Sequence, residues 1–327
     1  MKKFTNLPGD LVYESMLGFG AAHAGRIKVN LDPLFVSRAQ PRRDKVALIS
    51  GGGSGHEPLH TGYVGTGMLD AACPGQVFTS PTPNQMLAAA KATGGDAGVL
   101  FIIKNYAGDV MNFQMAMDMM DGDFAAVLVN DDVSQDAFGR HTGRRGLAGT
   151  LVVEKIVGAA AEQGADLATC KRLGDRVNAC TASMGVAFES CTVPEAGVAT
   201  FDIGPNEMEI GVGIHGEPGR QRAAYQPASA IVQTMLDAIL KDLKPQAGQE
   251  VLLHVNGLGG TPLMELYLLY HLASERLTDA GLVVTRSLVG NHTTALEMAG
   301  ASLTVTLLSD ELKAYWDAPV DTPHLRW

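Results

Sequence analysis

Residues 45–60 read KVALISGGGSGHEPLH, and the change from an apolar run to a glycine-rich stretch decides how this part of the chain folds. Two later runs repeat the order: Gly98 to Ile103 leads into Lys104 to Asp109, and Ala125 to Val129 leads into polar residues 130–132. Unalternating apolar strands with helices between them are typical of a mainly parallel sheet covered on both faces. Ligands of such sheets bind beyond the carboxyl ends of the strands, where these loops are expected.

A chain of 327 residues exceeds the usual size of one domain. We therefore predict an α/β protein of two domains, each with a mainly parallel or mixed sheet covered by helices. The first domain, 1–182, carries the glycine-rich loop, and the second is 183–327. This prediction leaves open that the carboxyl-terminal tail packs against the first domain and not the second.

Local patterns predict the individual elements. Thr82 and Pro83 begin a helix that Gly94 and Gly95 close, and methionines at every fourth position from Met111 predict a packed helix face. A further helix is predicted at 146–163. In the second half, strands are predicted at 184–188, 207–213, 251–255, 282–289 and 303–307, and helices at 231–243, 262–276 and 294–298.

Composition narrows the classes of function. The net charge of -10 and the lack of a Lys/Arg cluster argue against a nucleic-acid partner. No segment reaches the roughly 20 apolar residues of a membrane span, and the amino terminus has no apolar signal run. The four cysteines form no C-x-x-C pair, so reduced thiols and a cytoplasmic location are expected.

Residues 56–60, HEPLH, match the H-E-x-x-H pattern of zinc hydrolases. That chemistry requires both histidines on one helical face. Four glycines among the five preceding residues, and Pro58 inside the motif, argue against such a helix, and no third ligand is evident. A zinc hydrolase stays an alternative that these residues disfavour, and no metal site is predicted.

Residues 211–216, GVGIHG, match the dinucleotide pattern G-x-G-x-x-G. The fingerprint needs a helix that starts in the glycine turn, whereas Glu217, Pro218 and Gly219 indicate a loop. The phosphate-binding pattern with a lysine after its last glycine is also missing from 51–56. Neither pattern predicts a nucleotide on this chain.

His56 follows one predicted strand, and Lys104 and Asp109 follow another. An imidazole, an ammonium and a carboxylate at one edge of a sheet make a plausible acid–base site. Each residue alone is more often a solvated loop residue or a helix cap; Asp109 has the alternative of capping a helix that begins near Val110.

Several long blocks in a fixed order resemble the dihydroxyacetone kinase family. They are SGGGSGHEP at 50–58, FTSPTP at 78–83, IKNY with GD at 103–109, GVGIHGEPG at 211–219, NGLGGTP at 256–262 and WDAP at 316–319. The resemblance covers nearly the whole chain and is far more specific than either short motif.

The family has a single-chain form and a split form, and this chain resembles the ketone-binding subunit of the split, phosphotransferase-system-dependent form. The resemblance implies that ADP or ATP and magnesium sit on a partner kinase subunit, and that a phosphocarrier protein rephosphorylates the ADP held there. No cofactor is expected on this chain, and a homodimer is expected.

The resemblance also implies a role for each of several residues. His215 adds to the ketone carbonyl to give a hemiaminal, Asp109 takes the proton of the terminal hydroxyl, and His56 hydrogen-bonds the substrate and assists proton movement. Gly53, Ser54, Gly55 and Lys104 position the remaining oxygens. The family includes ketone-sensing regulators without catalysis, but the residues expected of the enzyme are all present. The choice among dihydroxyacetone, glyceraldehyde and erythrulose stays open.

Overall fold

A computed structural model describes residues 2–134 and 143–327. Its α-helices in chain order are α1 Leu11–Ala22, α2 Pro83–Thr93, α3 Ala107–Asp118, α4 Gly149–Glu162, α5 Leu167–Ala179, α6 Ala228–Leu243, α7 Leu263–Asp279 and α8 Asp310–Asp317. Its strands are β1 Ile27–Leu31, β2 Leu34–Arg38, β3 Ala47–Ser54, β4 Ala71–Val77, β5 Val99–Lys104, β6 Phe124–Val129, β7 Thr181–Ala187, β8 Glu207–Ile210, β9 Gln221–Ala224, β10 Glu250–Gly257, β11 Val283–Gly290 and β12 Gly300–Leu307.

The chain forms two compact units, and neither is continuous in sequence. Of the described residues, the first unit contains 2–129, 150–176 and 314–327, and the second contains 130–134, 143–149 and 177–313. The domain boundary predicted at 182/183 falls inside β7 and stays a prediction.

The first unit is built on a sheet in the order β1-β2-β4-β3-β5-β6. Strands β4, β3, β5 and β6 run parallel, and the hairpin of β1 and β2 extends the sheet antiparallel. Every residue of β3 and of β5 is buried, as predicted for unalternating strands. Ile49, Phe101 and Phe113 belong to the buried apolar cluster between this sheet and its helices.

Helix α2 begins and ends where its sequence signals place it. Thr82 donates its backbone N–H to Gln85 Oε1 at 2.9 Å, and Pro83 occupies the first turn, where its missing N–H costs nothing. Gly94 ends the helix. Gln85 also donates to the carbonyls of Leu34 and Pro74, which ties the helix to the sheet.

The packed methionine face predicted for α3 is wrong. Met111, Met115 and Met119 are 59%, 48% and 62% exposed. The buried face instead carries Asp109, Phe113, Ala116 and Met117. Its spacing of three and four residues is that of a packed helix, whereas the methionine stripe lies on the opposite, solvent-facing side.

The second unit has a mixed sheet in the order β11-β10-β12-β7-β8-β9, so the predicted fold class is confirmed. Among the described strands of this sheet, β10 and β11 are the only parallel neighbours. Helices α6 and α7 pack on it through an apolar cluster that includes Leu236, Leu253 and Leu266.

The helix predicted at 294–298 is wrong, because these residues form turns and a bridge. Asn256 Oδ1 accepts the backbone N–H groups of His292 and Thr293, at 3.0 and 2.8 Å. Leu296 has a left-handed backbone, with φ of 55°, which no right-handed helix accommodates. In the described residues, helices long and apolar enough to cross a membrane are absent.

Candidate active site

The carboxyl ends of β3 and β5 bring three predicted site residues to one end of the first unit's sheet. The two strands are parallel neighbours, with Ser50 opposite Ile102. His56 follows the end of β3 by two residues, Lys104 is the last residue of β5, and Asp109 lies in the first turn of α3. All three are buried, with at most 1% of each residue exposed.

Asp109 is a buried carboxylate beside an ammonium. Its Oδ2 lies 3.7 Å from Lys104 Nζ, and within the described residues neither of its oxygens accepts a hydrogen bond. Tyr106, not Asp109, occupies the N-cap position of α3, which removes the helix-cap alternative. A carboxylate with open lone pairs is able to accept a proton from a ligand hydroxyl.

Lys104 is held by polar groups of the strand ends. Its Nζ lies 2.7 Å from His60 Nε2 and donates to the Gly51 carbonyl at 3.4 Å. Burial lowers the pKa of Lys104, and the nearby carboxylates of Asp109 and Glu154 oppose that shift. The ammonium therefore depends on its neighbours for its charge.

The glycines at 51–53 belong to strand β3, so the prediction of a glycine-rich loop is wrong for these residues. A Cβ on Gly52 would lie 2.2 Å from Lys104 Nζ, and one on Gly53 would lie 2.6 Å from the Thr79 backbone nitrogen. Glycine is required here because side chains and a neighbouring loop approach the strand closely. Ser54 ends the strand and donates to the Gly75 carbonyl at 2.7 Å, and Gly55 follows with φ of 100°.

His56 lies against an aromatic ring. Its imidazole stacks on Phe78, with ring centroids 5.1 Å apart and planes 20° apart. Phe78 has a φ of 53°, a left-handed conformation that is uncommon for a bulky residue and frequent at functional sites. The backbone N–H of Phe78 donates to the Ser54 carbonyl at 3.0 Å, which links this ring to the end of β3.

The H-E-x-x-H match does not lie on a helix, because residues 56–60 form bends and turns. Among 2–134 and 143–327, groups of three or more His, Cys, Asp or Glu side chains that could hold a metal ion are absent. The two histidines have different neighbours: His56 stacks on Phe78, and His60 Nδ1 lies 2.6 Å from Glu154 Oε1. The zinc hydrolase alternative thus lacks the geometry that the motif needs.

Sequence reasoning missed Glu154 and considered His60 only as a zinc ligand. Both are buried, at 0% and 4% exposure, and both belong to the cluster around Lys104. One signal was available: Glu154 is an acidic residue in the middle of the apolar run of α4, where an unpaired charge is costly. Such a residue needs a buried polar partner.

His215 belongs to the second unit and lies between β8 and β9, where it is half-buried. Its backbone N–H donates to Glu217 Oε2 at 3.0 Å, and the other oxygen of that carboxylate accepts from Arg145 Nη1 at 2.9 Å. Arg145 also donates to Asp132 Oδ2 and to the Gly211 carbonyl, both at 2.7 Å. One buried guanidinium therefore ties the segment of His215 to the rest of its unit.

The glycines of residues 211–216 make room for this guanidinium and its carboxylate. A Cβ on Gly213 would lie 2.0 Å from Glu217 Oε1 and 2.5 Å from Arg145 Nη1. Strand β9, and not a helix, follows the segment, so the dinucleotide geometry is absent there.

The fold and these side chains define an α/β protein with a buried acid–base cluster at the carboxyl ends of parallel strands, a class built to handle a small molecule. Residues 17–324 match the model of the Dak1 domain. The chain belongs to the Dak1 domain family, and the predicted membership of the dihydroxyacetone kinase family is confirmed.

Two relatives match along nearly their whole length. The dihydroxyacetone-binding subunit of the PEP-dependent dihydroxyacetone kinase of Escherichia coli is 43% identical over 355 residues, covering 100% of this chain and 99% of the relative. The corresponding subunit of PTS-dependent dihydroxyacetone kinase 1 of Listeria innocua is 47% identical over 314 residues, covering 95% of each chain.

Two solved structures share the fold. A co-activator of a dihydroxyacetone kinase operon aligns with a TM-score of 0.90 at 30% identity, covering 98% of both chains. The dihydroxyacetone kinase of C. freundii aligns with a TM-score of 0.89 at 35% identity, covering 99% of this chain but 60% of that one.

Proposed function

We propose that this protein is the substrate-binding subunit of a split dihydroxyacetone kinase. It binds dihydroxyacetone and presents a terminal hydroxyl to a partner subunit that carries the nucleotide. The observation that carries the proposal is the buried Asp109 carboxylate, whose oxygens stay open beside Lys104. The two relatives named for dihydroxyacetone binding support the choice of ligand.

In the first step, an imidazole nitrogen of neutral His215 adds to the ketone carbon. A nitrogen–carbon bond forms, the carbonyl π bond opens, and the oxygen gains the proton that the ring gives up. The product is a hemiaminal, and no oxidant or further reactant is consumed. Because the bond requires a carbonyl, glycerol cannot be held in this way. Arg145 and Glu217 support the step, since they fix the backbone of His215.

In the second step, Asp109 takes the proton of the terminal hydroxyl as that oxygen attacks the phosphoryl group. The new oxygen–phosphorus bond forms as the bond to the nucleotide breaks. His56 hydrogen-bonds the substrate and assists proton movement, while Gly53, Ser54, Gly55 and Lys104 position its other oxygens. Phosphoryl transfer depends chiefly on placement and charge, so a covalently held acceptor suits it.

The nucleotide, as ADP or ATP with magnesium, is assigned to the partner subunit, and a phosphocarrier protein is assigned the rephosphorylation. Homodimer formation and a cytoplasmic location are part of the same proposal and have the family resemblance as their support. The two relatives that this chain matches over 95% or more of their length are named as dihydroxyacetone-binding subunits, which supports the split layout.

A ketone-sensing regulator is the second candidate, favoured by the high similarity to the operon co-activator. Phosphoryl transfer to dihydroxyacetone distinguishes the kinase subunit from the regulator. The intact protein is incubated with dihydroxyacetone and its mass measured, and then the phosphorylated partner subunit is added and dihydroxyacetone phosphate is assayed. An adduct followed by transfer supports the kinase; an adduct without transfer supports the regulator; no adduct contradicts both.

A further inference from the structure

A buried chain of side chains in the first unit connects Glu154 to Lys104 through His60. Glu154 Oε1 lies 2.6 Å from His60 Nδ1, and His60 Nε2 lies 2.7 Å from Lys104 Nζ. Glu154 comes from the middle of α4, His60 from the turn after β3, and Lys104 from the end of β5. The chemistry proposed above uses Lys104 and leaves the other two without a role.

The hydroxyl of Ser50 shows where the proton of His60 lies. Ser50 Oγ donates to the Ile102 carbonyl at 2.7 Å, and a hydroxyl has one proton to donate. Toward His60 Nδ1, 3.0 Å away, Ser50 can therefore only accept. A lysine ammonium has donors only, so Nε2, 2.7 Å from Lys104 Nζ, is the acceptor, and Nδ1 is the nitrogen that carries hydrogen, toward Glu154 Oε1. Nε2 is left with a lone pair, which accepts from Lys104.

Burial agrees with this neutral imidazole. It lowers the pKa of His60, and the charges of Lys104 and His56 lower it further. Burial also raises the pKa of Glu154 to about 8. The hydrogen bond from His60 does not depend on that ionisation, because Oε1 accepts from Nδ1–H whether or not Oε2 carries a proton.

Lys104 depends on this acceptor for its position. Its contact with His60 is 2.7 Å, whereas the Gly51 carbonyl is 3.4 Å and Asp109 Oδ2 is 3.7 Å away. A lysine side chain has four rotatable methylenes and no fixed direction of its own. The shortest contact therefore sets where the ammonium sits and aims its remaining protons at Asp109 and at the ligand.

We propose that Glu154 and His60 are positioning residues, which hold the Lys104 ammonium beside Asp109 by keeping His60 in the neutral Nδ1–H form. The inference rests on the proposed function in that Lys104 and Asp109 handle the substrate. Neither Glu154 nor His60 is assigned a contact with the reacting atoms.

Nuclear magnetic resonance of the full chain tests the proton placement without substrate. The protein is labelled with ¹⁵N in its histidines, and long-range correlations between ring protons and nitrogens are recorded at neutral pH. The His60 signals are those lost in His60→Gln. We expect a neutral ring protonated on Nδ1. A ring protonated on Nε2, or on both nitrogens, overturns the proposal.

Kinetics with paired variants test the consequence. Glu154→Gln keeps the shape of the side chain, but its amide can turn an N–H toward Nδ1, whereas a carboxyl with its proton on Oε2 presents only an acceptor there. Glu162→Gln is the matched control on the same helix; its carboxylate binds Arg38 at 2.9 Å and makes no contact with the Lys104 cluster. The readouts are kcat and KM for transfer to dihydroxyacetone, together with adduct mass.

We expect Glu154→Gln to lower kcat about 10-fold, the lower end of what loss of an orienting partner costs, with adduct formation retained. His60→Leu should lower kcat about 100-fold, because Lys104 loses its acceptor and is misplaced. His60→Gln should lower kcat less than His60→Leu, because the amide oxygen of glutamine can still accept from Lys104. Equal activity of Glu154→Gln and Glu162→Gln contradicts the proposal. If the wild type forms no adduct and transfers no phosphoryl group, the proposed function fails, and the histidine spectrum still decides the placement.

Discussion

Arg145 Nη1 donates to Glu217 Oε1 at 2.9 Å, and through that carboxylate a buried guanidinium reaches the backbone of His215. The two carboxylate oxygens have different donors, since Oε1 accepts from Arg145 and Oε2 accepts from the N–H of His215. The segment around His215 thus depends on the charged pair of Arg145 and Glu217.

Glu217→Gln should weaken formation of the ketone adduct. An amide has one oxygen, so it can accept from Arg145 or from the His215 N–H but not from both. Loss of a hydrogen bond to a charged group is worth about 1.5 kcal/mol or more, which is about a 10-fold loss of affinity. Titration with dihydroxyacetone, followed by intact mass, measures it.

The control for that substitution is Glu209→Gln in the same unit. Glu209 is buried on β8 and accepts from Arg222 Nε at 3.2 Å, so it loses a comparable ion pair away from His215. Equal adduct affinity in the two variants would show that Glu217 does not orient His215.

His215→Ala should abolish the adduct and leave the fold intact. The imidazole is the proposed nucleophile, and alanine offers no lone pair to the ketone carbon. His215 is half-buried in a loop, so its loss opens no core cavity. Intact mass after incubation with dihydroxyacetone measures the adduct, and circular dichroism measures the fold. His271→Ala is the control, because His271 is an exposed histidine of the same unit. A persistent adduct in His215→Ala would place the covalent bond on another residue.

Gly52→Ala should impair phosphoryl transfer without unfolding the protein. The new methyl would lie 2.2 Å from Lys104 Nζ, at the far end of a flexible side chain, so the ammonium moves and the strand does not. A displacement of about 1 Å at a catalytic group costs on the order of 100-fold in rate. The assay is turnover with the phosphorylated partner subunit.

Gly18→Ala is the matched control, because a Cβ on Gly18 meets nothing within 4 Å and its helix favours alanine. Wild-type turnover in both alanine variants would show that the position of Lys104 does not limit transfer.

Glu154 should make stability depend on pH. Burial raises its pKa from 4.5 to about 8, so the folded protein keeps a proton that the unfolded chain releases. This proton stabilises the folded state fully below pH 4.5, and the contribution is lost as the pH rises toward 8. Glu154→Gln has no such loss. Its free energy of unfolding relative to wild type should therefore rise between pH 5 and 8, which urea unfolding measures.

Glu162→Gln gives the contrast. Burial acts to raise the pKa of Glu162, but the charges of Arg38 and Lys45 outweigh burial and lower this pKa below 4.5. Its contribution is therefore already complete at pH 5, and the difference from wild type should stay flat up to pH 8. A flat difference between pH 5 and 8 for Glu154→Gln as well would show that Glu154 ionises normally.

The parts of the fold that follow from local pattern were predictable. The buried strands β3 and β5 and the capped helix α2 each have a signal within a few residues, namely an apolar run or a Thr-Pro start with a glycine stop. The same holds for His56, Lys104 and Asp109, because residues after parallel strands share one end of a sheet.

The predictions that were wrong, and the residues that were missed, concern features that tertiary contacts determine. The exposed side of Met111 cannot be told from a buried one by spacing alone, since α3 has apolar residues on two faces and packing chooses between them. The glycines at 51–53 indicate a turn locally, but Lys104 and the Thr79 backbone make them necessary within a strand. Glu154 lies 94 residues from His60, beyond the reach of any short motif.

Asp109→Asn separates ketone binding from phosphoryl transfer. The carboxylate is the proposed base, while His215 makes the covalent bond, so the variant should keep its shape and much of its affinity for dihydroxyacetone. An amide oxygen is not usefully protonated near neutral pH. General-base catalysis typically contributes about 10²–10⁴-fold, so turnover with the phosphorylated partner should fall by about that factor.

The measurement pairs transfer to dihydroxyacetone with the adduct mass of each protein, and Asp118→Asn is the control. Asp118 is the last residue of the same helix and accepts from Gln114 at 2.7 Å on the exposed side. Because Tyr106 holds the N-cap position of α3, loss of a helix cap cannot explain a fall in turnover for Asp109→Asn. A loss of turnover of about threefold or less in both Asp109→Asn and Asp118→Asn would be far smaller than the loss of a general base causes. Asp109 would then be structural, and another group would take the proton.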